Sequence, residues 1–296
     1  MDMKEKLIRI CEELSIEHVG IAPVGPYMDL ERLLRLREEK GELTGFEHKD
    51  IKKRVDPRET LADARSVIVC LFPYFYGHTH GSNISKYAHG IDYHIIIKEK
   101  LDRIGIEMSN LIDNFRYMSF ADTGPLVDRY LAYLAGLGFW GWNQHIINQE
   151  YGSYVLIGYI INNYPFEPDK PLNNECLRCG ACVRNCPGNA LDEGYGMKPA
   201  RCLSYITQKK DLTEEDALKI KKNKMVFGCD ICQDSCPHNR KAKVTSMVEF
   251  KKDLINYLKE SDIIDLSKNA FKKKYGNRAF GWRGKKLLLR NLNHLK

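Results

Sequence analysis

Eight of the ten cysteines fall between positions 176 and 236, in two runs that each close on Cys-Pro. The first is Cys176-Leu-Arg-Cys179-Gly-Ala-Cys182-Val-Arg-Asn-Cys186-Pro187, and the second is Cys202 followed by Cys229-Asp-Ile-Cys232-Gln-Asp-Ser-Cys236-Pro237. A C-x2-C-x2-C-x3-C-P run wraps a short loop around one corner of an iron–sulfur cube and sends its fourth thiolate to a neighbouring cluster. Two such runs predict two [4Fe–4S] clusters with crossed ligation. Cys176, Cys179, Cys182 and Cys236 hold one, and Cys186, Cys202, Cys229 and Cys232 hold the other. Zinc would use two CxxC pairs set apart by a longer loop. Four cysteines inside eleven residues are too crowded for that, and zinc leaves the Cys-Pro endings unexplained. A disulfide framework belongs to small secreted domains, and this chain shows no export signal. The chemistry implied is electron transfer.

The remaining reactive side chains say less by themselves. Cys11 and Cys70 sit in apolar patterns and read as core residues. His78, His80, His89 and His94 lack the partner spacing of a zinc site. Asp92 precedes a helical segment that starts at Tyr93, and Asp122 or Thr123 precedes one that starts near Pro125, so each aspartate has a local reading as a helix cap. Arg129 suits a phosphate or a neighbouring carboxylate.

The elements that must position these groups are legible as periodicity. Leu7, Ile8, Ile10, Cys11 and Leu14 follow helical spacing and predict an amphipathic first helix. Ser66–Phe72 and Tyr154–Ile161 are short apolar runs of strand type. Tyr93–Gly105 and Leu126–Gly136 read as helices, and Met118–Pro125 as a strand running into a turn. Three prolines between Asn162 and Pro171 mark a linker. The expected order is an α/β domain over 1–165, a cluster domain over 166–240 interrupted by a charged helix at Thr213–Lys224, and a basic helical segment over 241–296.

Composition is that of an ordinary soluble protein, 43% hydrophobic and 29% charged, with no uncharged apolar run near the ~20 residues that span a bilayer. Cluster thiolates without an export signal predict a reducing cytoplasm. The net charge of +7 is unevenly spread. Residues 201–296 hold 23 Lys and Arg against 11 Asp and Glu, whereas residues 1–200 carry a net negative charge. The stretch from Phe271 to Lys296 has nine basic side chains and no acidic one. Basic residues interleaved with Tyr, Phe and Trp suit a phosphate backbone and stacked bases, or equally a solvated helical face.

Several segments together resemble the epoxyqueuosine reductase family. They are the two cysteine runs, Ser85–His94, Ala121–Arg129, Ala135–Asn143, Tyr151–Tyr154 and the terminal Leu289-Arg-Asn291. The resemblance covers most of the chain. It implies an α+β protein: a nitroreductase-like cobalamin-binding domain, then a two-[4Fe–4S] ferredoxin-like domain, then a short basic helical tail. It implies reduction of the epoxide of epoxyqueuosine at the tRNA wobble position to an alkene, with cobalamin as the reductant, an external low-potential electron donor, and tRNA as partner. Clusters of this type span roughly −700 to +450 mV, so the low end can drive cobalamin reduction.

The same resemblance makes Asp122 the proton donor, with a pKa raised by burial beside the cofactor. Ser85, Asp92, Asp122, Ile146, Ile157, Ser204 and Asp230 match the family's cobalamin contacts. The family usually has lysine where this chain has Trp142, in a loop expected near substrate. Full-length members often continue into a C-terminal helical-repeat domain, whereas this chain stops at Lys296. These departures motivate a related reductase of another substrate, like the reductive dehalogenases, as the alternative. A ferredoxin-type electron carrier is a further one.

Overall fold

The computed structural model describes residues 2–79, 81–194 and 196–296; His80 lies outside the described residues. Contacts divide the chain into two compact units that interleave in sequence. The first comprises residues 1–73, 94–141 and 145–177, and the second residues 74–93, 142–144 and 178–296.

The first unit is built on a four-stranded sheet. Its helices are α1 (Met3–Glu13), α2 (Met28–Glu39), α3 (Ile51–Val55), α4 (Tyr93–Leu111) and α5 (Asp128–Leu134). Its strands are β1 (His18–Pro23), β2 (Ser66–Pro73), β3 (Tyr117–Ala121) and β6 (Val155–Asn162), in the order β1-β2-β6-β3 with every pairing antiparallel. A small ribbon joins β4 (Phe139–Trp140) to β5 (Ile146–Ile147). β2 is buried along its whole length, as a continuous apolar run in a central strand must be.

The N-terminal helix starts on a capping box, Asp2 accepting from the Glu5 backbone and Glu5 from that of Asp2, and buries Leu7 and Cys11. Cys11 and Cys70 are both core residues in mutual hydrogen-bond contact, which together with burial pushes the Cys70 thiol up. Gly158, opposite Cys70 in the β2–β6 register, lets α4 approach the sheet backbone. A Cβ there would stand 2.6 Å from Ile97 Cγ2 and 2.9 Å from Leu101 Cδ1.

The second unit carries α6 (Ala181–Arg184), α7 (Leu203–Ile206), α8 (Glu214–Asn223), α9 (Ile231–Asp234), α10 (Lys268–Tyr275) and α11 (Lys285–Asn293). Residues 74–93 are stitched into it by backbone pairing. The Val226 N–H donates to Asn83 O at 2.7 Å, and that of Ser85 to Phe227 O at 2.8 Å. His89 is wholly buried there, with Nε2 2.7 Å from Ile84 O and Nδ1 2.5 Å from the Tyr76 hydroxyl, a structural role.

The basic tail is part of this unit's core. Phe280, Leu288 and Asn291 are fully buried, and the Asn291 amide donates to Thr207 O at 2.7 Å and Val226 O at 2.8 Å. Among the described residues, no helix is long and apolar enough to cross a membrane.

Candidate active site and cluster-binding segments

The thiols of the second predicted quartet converge. Cys186, Cys202 and Cys229 all act electrostatically on Cys232, and Cys202 and Cys186 act on Cys229. Burial first, then this mutual repulsion, pushes the Cys229 thiol up to about 12 and holds Cys232 well above its ordinary value. Four sulfurs so placed hold their anionic form only against a positive metal core, which is what a cluster supplies. Short helices carry cysteines of both predicted quartets: α6 carries Cys182 of the first, α9 carries Cys232 of the second, and Cys202 of the second is the N-cap of α7. Cys182, Cys186, Cys202 and Cys232 share one apolar pack with Trp142. Of the first quartet, Cys179, Cys182 and Cys236 belong to the second unit, and Cys176 is the penultimate residue of the first. Every cluster cysteine is a free thiol.

Trp142 has a structural explanation in that pack. It stands over the cluster cysteines within the second unit. Its ring packs against cysteines of both predicted quartets.

In the first unit, β3 runs into a tight turn that carries Asp122. The residue adopts φ +58°, a left-handed conformation that costs side-chain-bearing residues energy and that Asp tolerates better than most. The turn is braced from beneath. Thr123 N–H donates to Ala121 O at 2.6 Å, Leu126 N–H donates to the Tyr159 hydroxyl at 3.1 Å, and Phe120 stacks on the Tyr159 ring. Gly124 is needed because a Cβ there would lie 2.0 Å from the Tyr159 oxygen.

The Asp122 carboxylate is presented outward, 62% exposed, with His94 Nε2 3.3 Å from Oδ2. The expected burial of Asp122 is thus not a property of the protein alone. Nor does Asp122 or Thr123 cap a helix: α5 begins later, at Asp128, after Val127, which makes no side-chain cap.

Around this turn stand Arg129, which the sequence offers for a phosphate or a carboxylate, and several groups that no sequence pattern marks. Asp128 accepts a hydrogen bond from the Asp122 backbone, and burial, then the Asp122 charge, holds its carboxyl well above the usual carboxylate range. Arg129 lies over the Trp140 ring at 5.9 Å and feels Asp128 and Asp122 as attraction. It also feels Arg37 and Arg54 as repulsion, and burial followed by Arg37 lowers its pKa. Burial lowers Arg54 as well, Glu47 opposing and Arg37 reinforcing the shift. Among the described residues, Arg37 Nε has no hydrogen-bond partner and is buried. Three guanidiniums that feel one another suit an anion. His145 is pushed down to about 4 by burial and then by Arg129, so it is neutral at pH 7. His94 was weighed only as a zinc ligand, and nothing local to Arg37, Arg54 or His145 marks them. They meet through tertiary folding.

The other sequence candidates fall as follows. Ile146, on β5, is buried in a core cluster of the first unit, with half-buried Ile157 packed against it. In the second unit the Ser85 hydroxyl donates to Asp230 Oδ1, and the Asp92 N–H donates to Asn277 O at 2.8 Å. Ser204 lies on α7, where its carbonyl accepts from Thr207 Oγ1 at 2.9 Å.

Residues 175–239 match the family model described as a 4Fe-4S double cluster binding domain, and residues 54–123 match the model described as epoxyqueuosine reductase QueG, DUF1730. An epoxyqueuosine reductase from Listeria monocytogenes is 36% identical over 301 residues, covering 98% of this chain and 79% of its own length. The mixed helix-and-sheet fold, the thiol quartet and the acidic turn define a two-cluster iron–sulfur oxidoreductase. The chain belongs to the epoxyqueuosine reductase family. The solved epoxyqueuosine reductase of Streptococcus thermophilus superposes with a TM-score of 0.90 at 34% identity, covering 100% of this chain and 81% of that one. A crystal structure of epoxyqueuosine reductase with an epoxyqueuosine-modified tRNA-Tyr stem loop also superposes at 0.90, with 33% identity over 99% of this chain and 80% of the other.

Proposed function

We propose that this protein reduces the epoxide of epoxyqueuosine in tRNA to the alkene of queuosine, in the cytoplasm, using cobalamin and electrons relayed through two [4Fe–4S] clusters from an external donor. Two electrons and two protons enter, both C–O bonds of the epoxide break, and the oxygen leaves as water. The observation that carries this reading is the braced Asp122 turn, an acid displayed toward solvent beside His94 in a chain that also gathers cluster thiols.

In the domain terms of the sequence, residues 1–165 contribute most of the catalytic part, 166–240 the clusters and 241–296 a basic surface for tRNA. Ser85, Asp92, Asp122, Ile146, Ile157, Ser204 and Asp230 are the proposed cobalamin contacts. The residues fit that cofactor: Arg37, Arg54 and Arg129 suit a phosphodiester, which cobalamin carries in its nucleotide tail. Bound and reduced, cobalamin supplies the strongly reducing centre that opens an epoxide.

The protein's own groups do the rest. Asp122 delivers a proton to the epoxide oxygen as its C–O bond breaks, once substrate and cofactor exclude water from its exposed carboxyl. His94 holds that carboxyl in place and returns a proton to it. Neutral His145 adds no charge beside the turn, and the raised Asp128 carboxyl is held by burial next to Asp122.

The test is turnover of epoxyqueuosine-containing tRNA by reconstituted protein with a chemical reductant, with and without cobalamin. Cobalamin-dependent formation of queuosine is expected. Failure to convert this tRNA while the protein binds cobalamin and holds both clusters would move the reading to another substrate of the reductive-dehalogenase kind. Failure to bind cobalamin would leave an electron carrier.

A further inference from the structure

A charged network, buried at Lys86 and Asp230, includes the residue that follows Cys229. Lys86 is only 8% exposed, yet its ammonium donates to both carboxylate oxygens of Asp234, at 2.7 and 2.8 Å, and lies 3.5 Å from Asp230 Oδ2. The Lys86 backbone N–H donates to the same Asp230 Oδ2 at 2.8 Å, and the Ser85 hydroxyl donates to Oδ1. Asp230 follows Cys229 directly in the chain, and Asp234 lies midway between Cys232 and Cys236. The Asp230 charge already acts on Cys229 and Cys232. Two carboxylates are thus held beside sulfur ligands by one lysine contributed from residues 74–93.

We propose that Lys86 sets the reduction potential of the cluster held by Cys186, Cys202, Cys229 and Cys232. It is a positioning residue that acts through Asp230 and Asp234. The proposal rests on the two-cluster assignment and names a control on that electron relay. A cluster's potential follows the net charge, hydrogen bonding and solvent exposure around it. Taking up an electron adds negative charge, and a nearby carboxylate opposes this, the buried Asp230 more than the half-exposed Asp234. Lys86 offsets one of two such carboxylates and fixes the position of both. Without it the network gains a negative charge, and the reduced cluster becomes harder to form. Without Asp234 the network loses one, and the reduced cluster becomes easier to form. Opposite signs from the two halves of one ion pair distinguish an electrostatic role from simple loosening of the fold.

The experiment is a redox titration of the reconstituted full chain, followed by electron paramagnetic resonance of the reduced clusters. It needs neither tRNA nor cobalamin, so its outcome is separate from the turnover assay. Lys86→Met should shift one cluster's midpoint to a more negative potential with full iron content, leaving the other cluster in place. Lys86→Arg should restore the wild-type midpoint. Asp234→Asn, at a partner that is 44% exposed and so tolerant of change, should shift the same cluster to a less negative potential. Shifts of the same sign in Lys86→Met and Asp234→Asn, or unchanged midpoints in both, overturn the proposal. Where Lys86→Met fails to retain iron, Asp234→Asn decides alone: an unchanged or more negative midpoint overturns it.

Discussion

Asp122 is held by its neighbours for one task. A left-handed aspartate is strained backbone, and here it is fixed by the Asp128 acceptor and the Tyr159 brace. Asp122→Asn keeps the size and loses the proton, so turnover should fall by about 10²–10⁴ while cluster and cobalamin spectra stay unchanged. Undiminished turnover would remove Asp122 from the chemistry. His94→Asn should lower turnover less than Asp122→Asn, since the carboxyl loses only its partner at 3.3 Å. His145 makes a separate prediction about stability. Its folded pKa of about 4 lies below the ~6.5 of an unfolded histidine, so its contribution is present above pH 6.5 and is lost as pH falls through 4. The full shift corresponds to at most ~3 kcal/mol, less for a ring that is half-buried. Thermal unfolding from pH 7 down to 4 should therefore show a shallower loss in His145→Gln than in the parent, and parallel curves would refute the assignment. Asp122 was legible from its motif, whereas His94, Asp128, Arg54 and His145 were not. Their roles come from who faces them, and single-residue patterns carry no record of that.

The turn between β3 and α5 shows how an element can carry a functional constraint. Gly124 sits where a Cβ would meet Tyr159 and, at 2.7 Å, Phe120 Cβ. Gly124→Ala should destabilise the protein by about 1–3 kcal/mol through overpacking and displace the Asp122 loop. A reduced Tm together with impaired turnover is the expected pair, and wild-type values of both would show that the turn has room. Periodicity located the main strands and long helices it named, and left β1, α2 and α3 unmarked. The apolar runs became β2 and β6, the charged segment became α8, and the Tyr93 helix became α4, longer than expected at Leu111. The helix predicted from Leu126 to Gly136 is confined to Asp128–Leu134. Leu126 N–H is bonded to the Tyr159 hydroxyl, and the chain turns at Gly136, with φ +67°. A tyrosine thirty-three residues away thus decides where α5 starts, which no local propensity anticipates.

At the scale of the molecule, the chain leaves its first unit at Tyr74 and again at Trp142, returns each time, and passes into the second unit for good at Arg178. Composition cannot reveal such interleaving, because residues 74–93 look like any loop and helix start. Their place is set by backbone pairing with residues 226–227. The same holds for the basic tail, which from charge alone was balanced between an RNA surface and a solvated face. The structure sorts its cations. Arg278 donates to Asp253 O at 2.5 Å, Lys285 to Ile264 O at 2.6 Å, Arg290 to Lys210 O at 2.6 Å, and Lys296 pairs with Glu260 at 2.5 Å. Lys272, Lys273 and Lys274 instead stand exposed on α10, and Lys286 is exposed on α11. Deleting everything after Asp265 would strip out buried Phe280, Leu288 and Asn291, so loss of RNA binding on truncation would report unfolding rather than recognition. Point variants separate the two. Lys272→Ala, Lys273→Ala and Lys274→Ala combined should leave Tm and iron content unchanged, weaken tRNA binding, and flatten the dependence of log K on log salt. Each lysine that meets a phosphate contributes about 0.7–0.9 to that slope, so three contacts predict a reduction of about 2 to 3. An unaltered slope would assign α10 to solvent and leave Lys286 as the next residue on the basic face to test.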